Sequence, residues 1–478
     1  MLRNKSTKVF SEINDFFTST DKGIFRIMEL YRSLNLGRLK IGEEQAPQSI
    51  FKKGDLLLSM LIFPIYSISN VYSYTTSALS KDIEAKKNTL YRFKNDNKIN
   101  WRSIVNVCNK ILFKQIDDMP KKQGTSCLII DDTDFEKTTY KTEHISKIWS
   151  HVKHGQFFGF KGLFLGYWDG KSFFSIDFSL HKERGKNKKK PFGLTAKQKK
   201  RQYSKKRIKN TFGNKREQDL TKDKITTAIR MIKRAVNRKL KVDYLLMDSW
   251  FFCEAFLKLA TSLKIDIVGM AKMGKPKYLY KDDYYTAKEL AQLLKRRKKV
   301  KMIRLLRLYC AEVEVEYKST PLKLYFCKTT KHSKWHLLAS TNVKLGILKA
   351  YEIYSIRWSI EVFFKESKQY FGLGKSLSQD FDAQVADISL AMIEYNVFSL
   401  AKRFEAYETM GGLYKHVKSQ GMELTIVVRI WGFILELLQV IAEFIDGNFN
   451  DLIVSILKNK PEENKIFRLI ESQLSVAA

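Results

Sequence analysis

The stretch Tyr354–Lys368, with the sequence YSIRWSIEVFFKESK, carries the most informative pattern in this chain of 478 residues. An α-helix turns by about 100° per residue, so the polar side chains fall on one narrow stripe and the apolar ones on the opposite side. The stripe consists of Tyr354, Arg357, Glu361, Lys365 and Lys368. The pattern predicts an amphipathic helix with one carboxylate among cations and a phenol. It also fits an exposed helix whose ion pairs contribute only about a few tenths of a kcal/mol each.

Two short apolar runs elsewhere in the chain each end at an aspartate. Leu128–Ile130 is followed by Asp131 and Asp132, and Tyr244–Met247 is followed by Asp248. Apolar runs of this length are typical of strands buried on both faces of a sheet. In α/β folds, ligands and reacting groups lie at the carboxyl ends of such strands. Taken singly, each aspartate could equally be a helix cap or a turn former.

The order Asp131, Asp248, Glu361 resembles that of the DDE transposases of bacterial insertion sequences. The last acid lies in a Tyr-x2-Arg-x3-Glu-x6-Lys signature, which marks the large insertion-sequence-four group. The segments 151–180 and 334–343 also resemble parts of that family. The resemblance extends over about residues 85–400.

The resemblance implies an α/β fold with an RNase H-like catalytic core, in which helices flank a mixed sheet. It also implies a β-rich insertion, a helical N-terminal domain and a helical C-terminal region. The expected regions are a helical, DNA-binding region at 1–115, the first part of the core at 120–272, the insertion at 273–341, the second part of the core with the Glu361 helix at 342–400, and the helical C-terminal region at 401–478. From the residues alone, the N-terminal helices could also be a plain bundle packed on the core. The C-terminal helices could close the core or form a dimer contact.

The family's chemistry assigns the catalytic and metal-binding roles to Asp131, Asp248 and Glu361. Their oxygen ligands suit two Mg²⁺ ions, and Mn²⁺ can substitute for Mg²⁺ at such a site. Two such ions can activate the attacking oxygen and stabilise the leaving oxygen of a phosphodiester. The family's Asp-x-Thr pattern favours Asp131 as the first acid. Asp132 is the competing choice, because neighbouring residues of a strand face opposite sides.

Four further residues are expected to bind DNA. Arg357 and Lys368 would hold phosphates near the scissile bond, and Tyr354 would hydrogen-bond another phosphate. Trp335 lies where relatives carry a tryptophan that stacks on a base flipped out of the DNA end. The alternative for Trp335 is a buried sheet residue.

The function that the resemblance implies is cut-and-paste DNA transposition. Such a transposase binds the terminal inverted repeats of its own element, cleaves the double-stranded DNA through a hairpin, and joins the 3′-hydroxyl ends to target DNA. A homodimer in the synaptic complex and a bacterial, nucleoid-associated cytoplasmic location are expected. A metal-dependent nuclease without strand transfer remains an alternative, as does a non-catalytic DNA-binding protein, although the latter needs no acid triad.

The composition agrees with a nucleic-acid-binding protein. Lys and Arg number 86 against 50 Asp and Glu, which gives a formal net charge of +36. Residues 181–216 contain sixteen Lys and Arg and one acid, Glu183, so a mobile loop that tracks phosphates or a solvated insertion is expected there. The five cysteines have no paired spacing and favour reduced thiols over a zinc site. The apolar runs are too short or too interrupted to span a bilayer, so no membrane association is expected.

Overall fold

A computed structural model describes most of the chain. The described residues are 22–36, 51–77, 80, 85–117, 124–150, 152–404 and 407–419. The chain divides into two compact units, Met1–Val417 and Lys418–Ala478. Only the first two residues of the second unit are described, so most of the helical C-terminal region expected at 401–478 lies outside the described residues.

Helices in the described residues surround a single sheet. They are α1 (Lys22–Ser33), α2 (Lys53–Leu61), α3 (Val71–Tyr74), α4 (Lys87–Lys94), α5 (Trp101–Asp117), α6 (Ala196–Lys200), α7 (Phe212–Asp219), α8 (Lys224–Asn237), α9 (Glu254–Leu263), α10 (Ala287–Arg296), α11 (Ile347–Ser355), α12 (Trp358–Tyr370) and α13 (Phe381–Phe404). The strands are β1 (Cys127–Glu136), β2 (Ser146–Ser150), β3 (Gly155–Trp168), β4 (Phe173–His181), β5 (Tyr244–Met247), β6 (Asp266–Ala271), β7 (Lys277–Tyr280), β8 (Asp283–Thr286), β9 (Lys301–Ile303), β10 (Leu308–Tyr317), β11 (Thr320–Lys328) and β12 (His336–Ser340).

The N-terminal helices pack on the rest of the fold through α13. Helices α1, α2, α4 and α5 all contact α13, and α5 also contacts β4. Helix α5 buries Ile104, Val105, Cys108 and Leu112, whose helical spacing places them on one face. This packing corresponds to the bundle alternative, and DNA binding by these helices stays a prediction.

The centre of the sheet combines antiparallel and parallel pairs. Strand β1 pairs antiparallel with β3, and β3 pairs antiparallel with β4. A loop at 169–172 joins β3 to β4, and Gly170 adopts there a φ of +100°, which favours glycine. Strand β5 lies parallel between β1 and β6. Three antiparallel strands, β1, β3 and β4, are therefore followed along the chain by β5, α9 and β6.

The register between β1 and β5 fixes where the two aspartates emerge. Ile130 pairs with Met247; Asp131 is the next residue within β1, and Asp248 directly follows the end of β5. Neighbouring strands are about 4.8 Å apart. The two aspartates therefore lie side by side where β5 ends against β1.

The strands of the expected β-rich insertion continue the central sheet. Strand β12 pairs antiparallel with β6, and β11, β10, β7 and β8 follow outward in that order. Strand β9 forms a short hairpin with β10. The region expected to be a β-rich insertion, 273–341, does contain strands, β7 to β12. The insertion is not a separate sheet, because backbone pairing between β6 and β12 joins it to the core.

The signature stretch forms two consecutive helices where one was expected. Helix α11 ends at Ser355 and α12 begins at Trp358, although Ile356 and Arg357 both keep right-handed helical dihedral angles. The backbone N–H of Arg357 bonds to the carbonyl of Tyr354, and that of Ile360 bonds to the carbonyl of Arg357. These three-residue bonds tighten the helix at the junction. The prediction of one regular helix was therefore wrong at this point.

The basic segment 181–216 is folded onto the core, which corrects the expected mobile loop. It contains β4's last residue, α6 and most of α7. The side chain of Arg207 is fully buried, and Arg216 is 7% exposed. Their charges are compensated by acids that lie far away in the sequence, and this compensation could not be seen from local composition.

No helix within the described ranges is both long enough and apolar enough to cross a membrane.

Candidate active site

Arg357 connects the first and third predicted acids. Its Nη1 donates to Asp131 Oδ2 at 2.9 Å, and its Nη2 pairs with Glu361 Oε1. Arg357 lies at the start of α12, and Glu361 follows one helical turn later. The guanidinium therefore holds a carboxylate of β1 next to a carboxylate of α12.

Asp248 completes the group from the neighbouring strand. Burial raises the pKa of Asp131 to about 7; the charge of Arg357 opposes this shift, and the charge of Asp248 adds to it. Burial also raises the pKa of Tyr354, which Arg357 again opposes and which Asp248 and Asp131 increase. The Tyr354 ring centre is 5.7 Å from the Arg357 guanidinium carbon. The structure thus brings Asp131, Asp248, Glu361, Arg357 and Tyr354 together.

Asp132 is directed away from this group. Its Oδ2 accepts a hydrogen bond of 2.6 Å from Lys224 Nζ on α8. Lys224 Nζ also lies 5.0 Å from the ring centre of Trp250. The alternation of side chains along β1 accounts for the difference between Asp131 and Asp132.

Lys368 is engaged within the protein. Its Nζ donates to Thr133 Oγ1 at 2.7 Å and to the backbone carbonyl of Asp134 at 3.1 Å. Burial lowers the pKa of Lys368, and the charge of Asp134 opposes that shift. These bonds join α12 to β1, so in this arrangement Lys368 positions the two elements that carry Glu361 and the first acid.

Trp335 lies directly before β12, the insertion strand that pairs with β6 of the core. It is half-buried, and its ring meets that of Phe326 edge-on at 6.2 Å. Lys328 Nζ lies 4.5 Å from its ring centre. Trp335 is therefore neither fully buried nor in contact with the acids, and its contacts belong to the insertion strands.

A protein-family model agrees with the central part of this arrangement. The model of the DDE superfamily endonucleases matches residues 57–297, which is half of the chain. The chain belongs to the DDE superfamily of endonucleases. The match includes Asp131 and Asp248 and ends before Glu361. Among curated proteins, none matches the chain significantly.

Membership in this superfamily implies an RNase H-like fold, and the mixed sheet flanked by helices agrees with it. It also supports a transposase-type enzyme that acts on DNA. The narrower insertion-sequence-four assignment rests on the signature around Glu361 and stays a prediction.

DDE superfamily nucleases use divalent metal ions, generally Mg²⁺. Asp131, Asp248 and Glu361 offer the oxygen ligands that such ions prefer, and a cation would relieve the repulsion between the two aspartates. In the described part of the chain, no three His, Cys, Asp or Glu side chains are already arranged to hold a metal ion. Metal binding by all three acids therefore requires their side chains to move closer together, and Arg357, which contacts Asp131 Oδ2 and Glu361 Oε1, would have to adjust with them. The donor set fits the metal under that condition.

Two residues next to the acids of this DDE endonuclease were not predicted from the sequence. The backbone N–H of Trp250 donates to Asp248 Oδ1 at 2.9 Å, and the Trp250 side chain is 46% exposed. Lys224 connects Trp250 to Asp132, as described above. The Asp-Ser-Trp triplet after β5 was the available signal for Trp250. No local signal pointed to Lys224, because its partners lie on other elements.

Proposed function

We propose that this chain is a cut-and-paste DNA transposase with Asp131, Asp248 and Glu361 as its catalytic and metal-binding acids. The observation that carries the proposal is the convergence of the three acids around Arg357. Two acids leave neighbouring parallel strands in register, and the third is bound to the same guanidinium as Asp131. The proposed substrates are the terminal inverted repeats of its own element and target DNA, joined in a homodimeric complex.

The acids and Arg357 have distinct proposed tasks. Divalent ions held by the three carboxylates would activate the attacking oxygen and stabilise the leaving oxygen of a phosphodiester. Arg357 keeps the carboxylates together in the absence of substrate. Its Nε is buried and has no hydrogen-bond partner among the described residues, so it would donate to a phosphate oxygen only after the groups that cover it move. Tyr354 lies beside it and is proposed to bind a second phosphate.

Lys368 and Trp335 are each proposed to bind DNA only after an existing contact is released. Lys368 would bind a phosphate only after releasing Thr133 and the carbonyl of Asp134, so we assign it first a positioning role. Trp335 is proposed to stack on an extruded base after Lys328 moves from its ring. A stack of this kind contributes about 1–3 kcal/mol.

The decisive experiment uses Glu361→Gln. This change removes a ligand charge and keeps the side-chain shape, so we expect Mg²⁺-dependent nicking of the DNA that flanks the gene to fall by at least about a hundredfold while DNA binding persists. Glu352→Gln is the matched control, because Glu352 lies exposed on α11 and should leave nicking unchanged. Nicking at the wild-type rate by Glu361→Gln would remove Glu361 from the site.

A second assay separates transposition from cleavage alone. The matching family model describes endonucleases, which favours hydrolysis as the second candidate function. A labelled, pre-cleaved DNA end is incubated with the protein, Mg²⁺ and a supercoiled target plasmid. Covalent joining of the label to the plasmid is expected of a transposase. Cleavage without joining under the same conditions would support a nuclease.

A further inference from the structure

The β9–β10 hairpin and the end of α10 form a strongly basic surface run outside the active site. Between Lys295 and Arg307 the sequence has eight cations and no acid. They are Lys295, Arg296, Arg297, Lys298, Lys299, Lys301, Arg304 and Arg307, and all are exposed. In the described structure no salt bridge joins any of them to an acid; Arg297 alone is engaged, with Tyr280. Such a surface repels itself unless a polyanion covers it.

The tip of this hairpin presents apolar side chains between two arginines. The backbone N–H of Leu306 bonds to the carbonyl of Ile303 at 3.2 Å, and that of Arg307 bonds to the carbonyl of Arg304 at 3.2 Å, so the turn is tight. Leu305 is 84% exposed at its apex, and Met302 is 47% exposed at its base. A large apolar side chain at the end of a cationic hairpin is not explained by packing within the protein.

We propose that the β9–β10 hairpin binds double-stranded DNA and inserts Leu305 between base pairs from the minor groove. Apolar wedges of this kind unstack a base step and bend the duplex. Arg304 and Arg307 flank the wedge and can enter the narrow, negatively charged groove. The remaining cations follow the phosphates. The proposal deepens the proposed function, on which it rests for the identity of the polyanion.

Charge and size favour DNA over a second copy of the chain. Each copy carries a formal charge of +36, so two such hairpins would repel one another. A stable protein interface buries about 800 Å² per partner, whereas the exposed apolar surface here amounts to Leu305 and Met302. A wedge needs only one inserted side chain.

The test compares Leu305→Ser with Leu377→Ser in the full-length protein. Leu377 is 85% exposed and lies outside the hairpin, so it is the matched control. A 30-base-pair duplex with a fluorophore at each end reports affinity and bending without metal. We expect Leu305→Ser to bind about tenfold more weakly and to lose the bend, with an unchanged salt dependence, whereas Leu377→Ser behaves as the wild type.

The arginines provide an independent measurement. The double change Arg304→Gln and Arg307→Gln should lower the slope of log affinity against log salt by about 2, since each cation that neutralises DNA charge and releases a counterion contributes about 0.9. Thermal melts of all variants should coincide with that of the wild type, because these side chains are exposed.

Three results would overturn the proposal. The first is that Leu305→Ser bends the duplex as much as the wild type does. The second is that the double variant shows the same salt dependence of DNA affinity as the wild type. The third is that the substitutions change the oligomeric state and leave the DNA affinity unchanged. Because binding and bending are measured without metal, a failure of the wild type to nick DNA would refute the proposed function and leave this test intact.

Discussion

Replacing Arg207 by methionine tests whether the basic segment 181–216 is an integral part of the fold. The Arg207 side chain is fully buried and donates to both oxygens of Glu143, at 2.8 and 2.6 Å, and to Asp382 at 3.1 Å. Lys205 bonds to Asp382 and to Asp380 in the same cluster. Methionine keeps much of the length and removes the charge and the donors.

The expected loss of stability follows from the charges that remain. Three carboxylates, each with a side chain 2–4% exposed, would lose Arg207; Lys205 would remain beside Asp380 and Asp382, and the His144 imidazole would remain 3.5 Å from Glu143. Removing one partner of a buried ion pair typically costs about 3–5 kcal/mol, because the other charge stays buried and uncompensated. We therefore expect Arg207→Met to lower the free energy of unfolding by about 3–5 kcal/mol. Arg201→Met should change it by less than about 0.5 kcal/mol, because Arg201 is exposed in the same segment.

Urea denaturation followed by tryptophan fluorescence measures both variants against the wild type. The pH dependence provides a second check. Burial alone would raise the pKa of Glu143, but the bonds and charge of Arg207 hold that pKa below its usual value. A lowered pKa stabilises the fold above the unfolded value of about 4.3, and this contribution disappears as the pH falls through the folded pKa. The difference between the wild type and Arg207→Met should therefore narrow below about pH 4.

The reasoning fails if Arg207→Met is within about 1 kcal/mol of the wild type at neutral pH. It also fails if trypsin cuts between 191 and 216 as fast in the wild type as in Arg207→Met. Either result would indicate that the segment is detached from the core, as its composition first suggested.

Three further predictions concern the candidate site. Asp131→Asn should abolish Mg²⁺-dependent nicking while Asp132→Asn keeps measurable activity, and the reverse outcome would exchange their assigned roles. Lys368→Met should lower the free energy of unfolding by about 1.5–3 kcal/mol through the lost bonds to β1, as measured by urea denaturation; weaker DNA binding at unchanged stability would instead make Lys368 a phosphate ligand. Trp335→Ala should spare the first nick and slow formation of the DNA hairpin, and an abasic nucleotide at the flipped position should partly rescue the variant. If the variant instead loses stability and every activity together, Trp335 is a core residue.

Features that depend on neighbouring residues were predictable from the sequence. The helical spacing of 354–368 indicated the Glu361 helix, and two apolar runs indicated the strands before Asp131 and Asp248. Both are local patterns, because helix and strand periodicity is set within a few residues. The β-rich composition of residues 297–341 likewise indicated strands. It could not show that β12 pairs with β6, since strand pairing joins residues distant in sequence.

The tertiary structure alone determined which residues distant in sequence the charged side chains contact. Asp131 and Asp132 are neighbouring residues of the same type, but β1 directs Asp131 toward Arg357 and Asp132 toward Lys224. The segment 181–216 has the composition of a solvated loop, yet Glu143 and Asp382 compensate Arg207 from outside it. A buried charge is tolerated only when a partner is brought to it, and the partner is supplied by folding over long sequence distances.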